Sequence, residues 1–63
     1  MHTTIRISFY NLTPGVQPVH AAQTVTVPAA DELSEYSAAK ETVLAEAAER
    51  GHKIGITGGT WMA

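Results

Sequence analysis

The sequence predicts a single small α+β domain in which two strands, one helix and a third strand follow one another as ββαβ. Three observations predict this class. Segments near both ends of the chain alternate between apolar and polar residues, a stretch rich in Ala, Glu, Leu and Lys lies between them, and the chain has only 63 residues. A chain of this length builds one core, so we expect residues 1–63 to form one domain.

Alternation defines the first two strands. Apolar side chains occupy every second position in residues 3–10 and 21–27 and so lie on one side of each strand. Between the two segments, Pro14, Gly15 and Pro18 predict a turn or an extended loop. The inward side chains are then Ile5, Ile7 and Phe9 in the first strand and Val25 and Val27 in the second.

The helix is predicted within residues 29–51, after Pro28. Asp31 or Ser34 serves as its N-cap, and Gly51 stands where a left-handed C-cap residue is expected. Projection at 100° per residue gathers one apolar arc, which we expect to face the sheet. This arc consists of Leu33, Tyr36, Val43, Leu44 and Ala47.

The third strand is predicted within residues 52–62, with Ile54 and Ile56 on one side. We expect it to break or bulge at Gly58 and Gly59, so that Trp61 folds back on the edge of the core as a lid or serves as an interface anchor. Gly55 would let a backbone or a bulky ring approach. We expect the sheet order 2-1-3, because the most regular apolar strand then lies in the centre, and the helix covers one face only.

Charge is distributed unevenly. All six acids lie between positions 31 and 49, where only Lys40 opposes them. Glu35, Thr42, Glu46 and Glu49 form a stripe opposite the apolar arc, either solvated or available to a basic partner. Lys40 falls inside the apolar arc. Either the helix starts later, or the lysine stem lies along apolar surface while its ammonium reaches water, or its charge is buried against a carboxylate or a partner.

The segment "YSAAK" (Tyr36 to Lys40) resembles the Tyr-x-x-x-Lys element of the short-chain dehydrogenases, and "TGGT" resembles their glycine-rich cofactor turn. In that family the glycines precede the tyrosine and a helix follows them. Here the glycines come after the tyrosine, and the chain ends four residues beyond Gly59, so we do not infer dehydrogenase activity from the resemblance.

Several classes of site and of protein are not expected from this sequence. The chain has no cysteine and no closely spaced histidine pair, so we expect neither a disulfide nor a metal site, and no cofactor. No stretch reads as a signal peptide or spans a bilayer, which favours a cytoplasmic protein without membrane contact. A core this small leaves little room for a substrate pocket, so we do not expect an enzyme.

The sequence favours a small non-enzymatic binding protein that contacts another protein, through the acidic helix face or through the surface around "GGTW". A helix on one side of a thin sheet also predicts self-association, by pairing of exposed strand edges or by packing of the open sheet faces, with a homodimer favoured. In length and design the chain is similar to small accessory proteins of bacteriophages and mobile elements, some of which inhibit host defence or regulatory complexes. The candidate partner-binding residues are Glu35, Lys40, Glu46, Glu49, Gly58, Gly59 and Trp61.

Two other hypotheses stay open. An oligomer could enclose a small ligand or nucleotide between the glycine-rich end and Trp61 of neighbouring subunits. The open sheet face, with Arg6, Tyr10 and Lys53, could bind single-stranded nucleic acid weakly. One aromatic residue and few basic residues on that face argue against the second hypothesis.

Overall fold

The central strand is β1 (His2–Asn11), which pairs antiparallel with β2 (Val19–Pro28) on one side and with β3 (Ile54–Met62) on the other. The helix α1 (Glu32–Glu49) connects β2 to β3. This computed structural model describes residues 1–12, 14–15 and 17–62. It confirms the α+β class and the strand order β2-β1-β3. The predicted loop between the first two strands includes Thr13 and Val16, which with Ala63 lie outside the described residues.

The core lies between the sheet and α1. Ile5 of β1 pairs with Val25 of β2, so their side chains share one face, and Ile7 follows two residues later on that face. Ile5 and Ile7 are fully buried, and Val25 and Val27 nearly so, as the alternation predicts. The helix contributes a row spaced one turn apart to the same core. This row consists of Ala39, Val43 and Ala47.

The ends of α1 match the sequence signals. Asp31 is the N-cap, and its carboxylate accepts hydrogen bonds from the backbone N–H of Ser34 at 2.9 Å and from the Ser34 hydroxyl at 2.8 Å. These bonds favour the charged form and hold the pKa of Asp31 below its ordinary value of 3.8. Arg50 is the C-cap, and Gly51 follows with a φ of 71°, the left-handed conformation expected there.

The predicted apolar arc of α1 is partly wrong. Leu33 and Leu44 are exposed, by 74% and 45%, whereas Ala39, which the arc leaves out, is fully buried. Small side chains allow the helix axis to approach the sheet closely, so the row Ala39–Val43–Ala47 occupies the centre of the interface. The two leucines consequently lie beside the contact line.

The third strand is continuous from residue 54 to 62, so the predicted break at Gly58 and Gly59 is wrong, and the bulge predicted there lies one residue earlier, at Thr57. Phe9 pairs with Ile56 and Ser8 with Gly58, which leaves Thr57 as an extra residue opposite the Ser8/Phe9 step. The extra residue shifts the alternation of side chains by one. As a result the even-numbered Ile54 and Ile56 and the odd-numbered Gly59 and Trp61 all face the helix side.

Candidate functional site

An open groove lies where the first turn of α1 meets the end of β3. It has a volume of about 270 Å³ and is lined by Glu32, Leu33, Tyr36 and Trp61. We call it the Tyr36–Trp61 groove. The rings of Tyr36 and Trp61 lie 6.1 Å apart between centroids, with an angle of 34° between their planes. The groove therefore presents aromatic and apolar surface beside one carboxylate.

The indole of Trp61 is fixed by a carboxylate of the helix. Its N–H donates a hydrogen bond of 2.8 Å to Oε1 of Glu35, and Oε2 of Glu35 accepts one of 2.8 Å from the backbone N–H of Ala30. Trp61 is half-buried and packs against the core, which favours the lid interpretation of this residue. The Glu35 carboxylate thus joins the segment before α1 to the end of β3.

Gly59 makes room for the other ring. A Cβ atom at Gly59 would lie 2.8 Å from Cε1 of Tyr36 and 3.2 Å from Cδ1 of Ile7, closer than ordinary van der Waals contact. The sequence assigns ring approach to Gly55, where a Cβ would meet only the Leu12 side chain at 3.3 Å, so that assignment is wrong. Gly58 faces away from the helix, and a Cβ there would meet nothing within 4 Å.

The two adjacent glycines therefore do not form one ligand-cradling surface. They point to opposite faces of the sheet, and Gly59 is covered by Tyr36. A small-ligand site that uses both glycines of one chain has no support in this geometry.

The position of Lys40 excludes one of the three explanations that the sequence leaves open for a lysine in the apolar arc. The helix starts at Glu32, so a late start does not explain the lysine, and Lys40 is only half-buried. Its Nζ lies 4.9 Å from the centroid of the Tyr36 ring, within the range of a cation–π contact. A half-buried lysine over an aromatic ring agrees with the interpretation that the lysine stem lies along apolar surface.

The predicted acidic stripe is wrong for two of its members. Glu35 is half-buried and bonded to Trp61, and Glu46 is half-buried and accepts a hydrogen bond from the Gln23 side chain of β2. Only Glu49 and Thr42 remain exposed, and Thr42 donates to the Ala38 carbonyl. Two of the three predicted stripe carboxylates thus tie the helix to the sheet.

The outer edge of β3 adjoins the Tyr36–Trp61 groove. β3 pairs with β1 only, and within residues 54–62 it carries neither a charged side chain nor a proline. No residue of β3 is fully buried, whereas β1 and β2 each contribute two buried side chains. The helix therefore covers the other two strands better than it covers β3.

The face of the sheet opposite the helix is polar. Arg6 stands between Thr24 of β2 and Thr60 of β3 in the register, and all three are exposed. Near one end the rings of Tyr10 and His20 lie 5.0 Å apart. The centre of this surface offers hydroxyl groups and one guanidinium, while the exposed Tyr10 and Met62 add apolar surface toward its ends.

The described residues form neither a metal site nor a membrane-spanning helix. Across residues 1–12, 14–15 and 17–62, no cluster of three or more His, Cys, Asp or Glu side chains could hold a metal ion. The single helix of this part of the chain is not both long and apolar enough to cross a membrane.

Comparison with known proteins gives no relative: no protein-family model matches the chain, and no curated protein or solved structure shows significant similarity to it.

Proposed function

We propose that this chain is a non-enzymatic binding protein that takes an extended segment of a partner protein along the outer edge of β3. The observation that carries the proposal is the state of β3: an uncharged edge strand without a fully buried residue, beside an aromatic groove. Of the two surfaces that the sequence favours, this is the one around "GGTW".

The backbone of β3 supports this mode of binding. A strand at the edge of a sheet presents unpaired N–H and C=O groups, and proteins protect such edges with charges, prolines, bulges or covering segments. Residues 58–62 lie beyond the bulge and have none of these protections. An added strand would pair with this stretch through main-chain hydrogen bonds, which supply affinity in strand addition.

The side chains of β3 support it as well. Ile54, Ile56 and Trp61 face the helix side but stay partly exposed, because no described strand or helix lies beyond β3. A fourth strand would cover part of their apolar surface, and burial yields about 25 cal/mol per Å². The Tyr36–Trp61 groove would receive one side chain of that strand and supply specificity.

A bound segment would be withheld from its own partners, so this proposal retains the inhibitory role suggested by the likeness to phage and mobile-element accessory proteins. The expected compartment is the cytoplasm.

The test is selection of peptides from a random library, followed by amide hydrogen exchange of the complex. We expect the selected peptides to be extended, to slow exchange in residues 58–62 and to change the fluorescence of Trp61, the only tryptophan. Selected peptides that protect other amides, or a library that yields no binder, would contradict the proposal.

A matched pair of variants locates the binding edge. Thr60 and Thr24 are both exposed and both stand opposite Arg6, one on β3 and one on β2. Thr60→Lys places an ammonium beside the incoming strand and should weaken peptide binding about tenfold, whereas Thr24→Lys, with the same charge next to Arg6, should not. Equal effects of the two substitutions would rule out β3 as the specific edge.

A further inference from the structure

We infer that the Tyr36–Trp61 groove accepts the side chain of an arginine or lysine from the bound segment. The inference rests on the proposed function and adds the chemistry of the residue that is recognised. Three features of the groove argue for a cation with an aliphatic stem.

The first feature is the combination of lining groups. Leu33 is 74% exposed and lies with the rings of Tyr36 and Trp61 around the groove, so a flexible hydrocarbon stem would cover all three. The positive head would then lie near two aromatic rings, whose π-systems attract cations. Lys40 already occupies such a position over the Tyr36 ring, at 4.9 Å, and does not line the groove.

The second feature is a carboxylate without a partner. Asp31 accepts bonds from Ser34, and Glu35 accepts bonds from Trp61 and Ala30. The side chain of Glu32, which lines the groove, has no hydrogen bond or ion pair with another described residue. It is the acid of this cluster that remains available to a ligand.

The third feature is charge complementarity. Three acids lie within residues 31–35, and the chain carries a formal charge of −2. An acidic side chain would be repelled by this cluster. A purely apolar one would desolvate Glu32 without compensation, which is unfavourable. A guanidinium or ammonium group is attracted by the acidic cluster and compensates the desolvation of Glu32 by pairing with its carboxylate.

The experiment uses three peptides of about nine residues, the length of β3, that alternate threonine and valine and differ only at the central position: arginine, norleucine or glutamate. Binding is followed by NMR shifts of the β3 amides and of the Trp61 indole N–H. We expect the arginine peptide to bind about fivefold tighter than the norleucine peptide, with the glutamate peptide weakest.

The outcomes separate this inference from the proposed function. If all three peptides shift the β3 amides with equal affinity, strand addition stands and cation recognition is wrong. If none shifts the β3 amides, the proposed function fails and the inference fails with it. If the norleucine peptide binds best, the groove is an apolar site and the inference is wrong.

A matched pair of variants tests the role of the carboxylate. Glu32→Gln keeps the size of the side chain and removes its charge, and it should weaken the arginine peptide about twofold while leaving the norleucine peptide unchanged. Glu49→Gln, an exposed carboxylate at the far end of α1, should change neither. An unchanged affinity of the arginine peptide for Glu32→Gln would overturn the assignment.

Discussion

Gly58 and Gly59 are adjacent in sequence but have different roles. Gly59 faces the helix, where the Tyr36 ring and Ile7 leave no room for a Cβ atom, while Gly58 faces open space on the other side of the sheet. Neither has a positive φ, so backbone strain does not separate the two. Their difference is one of packing alone.

This difference predicts opposite results for two alanine substitutions. Gly59→Ala forces Tyr36 and Ile7 to shift and should lower the free energy of unfolding by about 1–2 kcal/mol, because Ile7 is fully buried and cannot move freely. Gly58→Ala meets no atom and should be neutral or slightly stabilising. Denaturant unfolding monitored by Trp61 fluorescence measures both. Equal stabilities of the two variants would mean that Tyr36 does not rest on Gly59.

The sequence predicts single residues unevenly. It places Trp61 near the core edge, which the packing confirms, but it does not reveal that Glu35, 26 positions away, accepts the indole hydrogen bond. Glu35 and Glu46 read as solvated because a helical projection describes only the helix itself. Which side chains reach a neighbouring strand depends on where the helix crosses the sheet, and local sequence carries no signal for that.

At the level of elements, the sequence predicts the strands correctly but predicts the buried face of the helix only in part. Alternation fixes which side chains of β1 and β2 face inward, and the regularity of β1 correctly places it in the centre. For α1, hydrophobicity selects Leu33 and Leu44, but the contact line follows the small Ala39. The distance at which the helix packs on the sheet decides which of its residues are buried, and amino-acid composition alone does not specify that distance.

The N-cap of α1 makes a pH-dependent contribution to stability. The pKa of Asp31 is lowered in the folded protein by its bonds to Ser34, so the cap stabilises the fold above the ordinary pKa of 3.8, and this stabilisation is lost as the pH falls below that value through the folded pKa. Asp31→Ala should therefore lower the melting temperature at pH 7, with a difference from the wild type that shrinks toward pH 2.

Asp31→Asn is the control for this prediction. An asparagine oxygen still caps the helix but does not titrate near pH 4, so this variant should retain much of the stability without the acid-dependent change. Thermal unfolding followed by circular dichroism between pH 2 and pH 7 measures all three proteins. A constant gap between wild type and Asp31→Ala over this range would contradict the charge-dependent cap.

At the scale of the whole molecule, the main property is a thin fold of two layers, a helix and a sheet. The Cα atoms span 41 by 20 by 15 Å, and one helix covers one side of the sheet. The centre of the opposite face is polar, with Arg6 between Thr24 and Thr60, so packing two such faces together would bury polar groups at the centre of the contact. Of the two routes to self-association that the sequence predicts, pairing of strand edges is therefore the better supported.

We expect a homodimer in which the β2 edges of two copies pair antiparallel, which leaves β3 available to the partner segment. β2 offers ten residues without a charged Asp, Glu, Lys or Arg side chain. Light scattering at micromolar concentration should give a mass of twice 6.7 kDa for the wild type and for Thr60→Lys. Thr24→Lys should shift the mass toward the monomer. A wild-type protein that stays monomeric on concentration would contradict the prediction.

The bulge at Thr57 bears on how much the chain length can vary. Since two isoleucines before it and Gly59 with Trp61 after it all need the same side of the pleat, gain or loss of one residue in this stretch would turn one of these pairs outward. Insertions and deletions are thus poorly tolerated within β3.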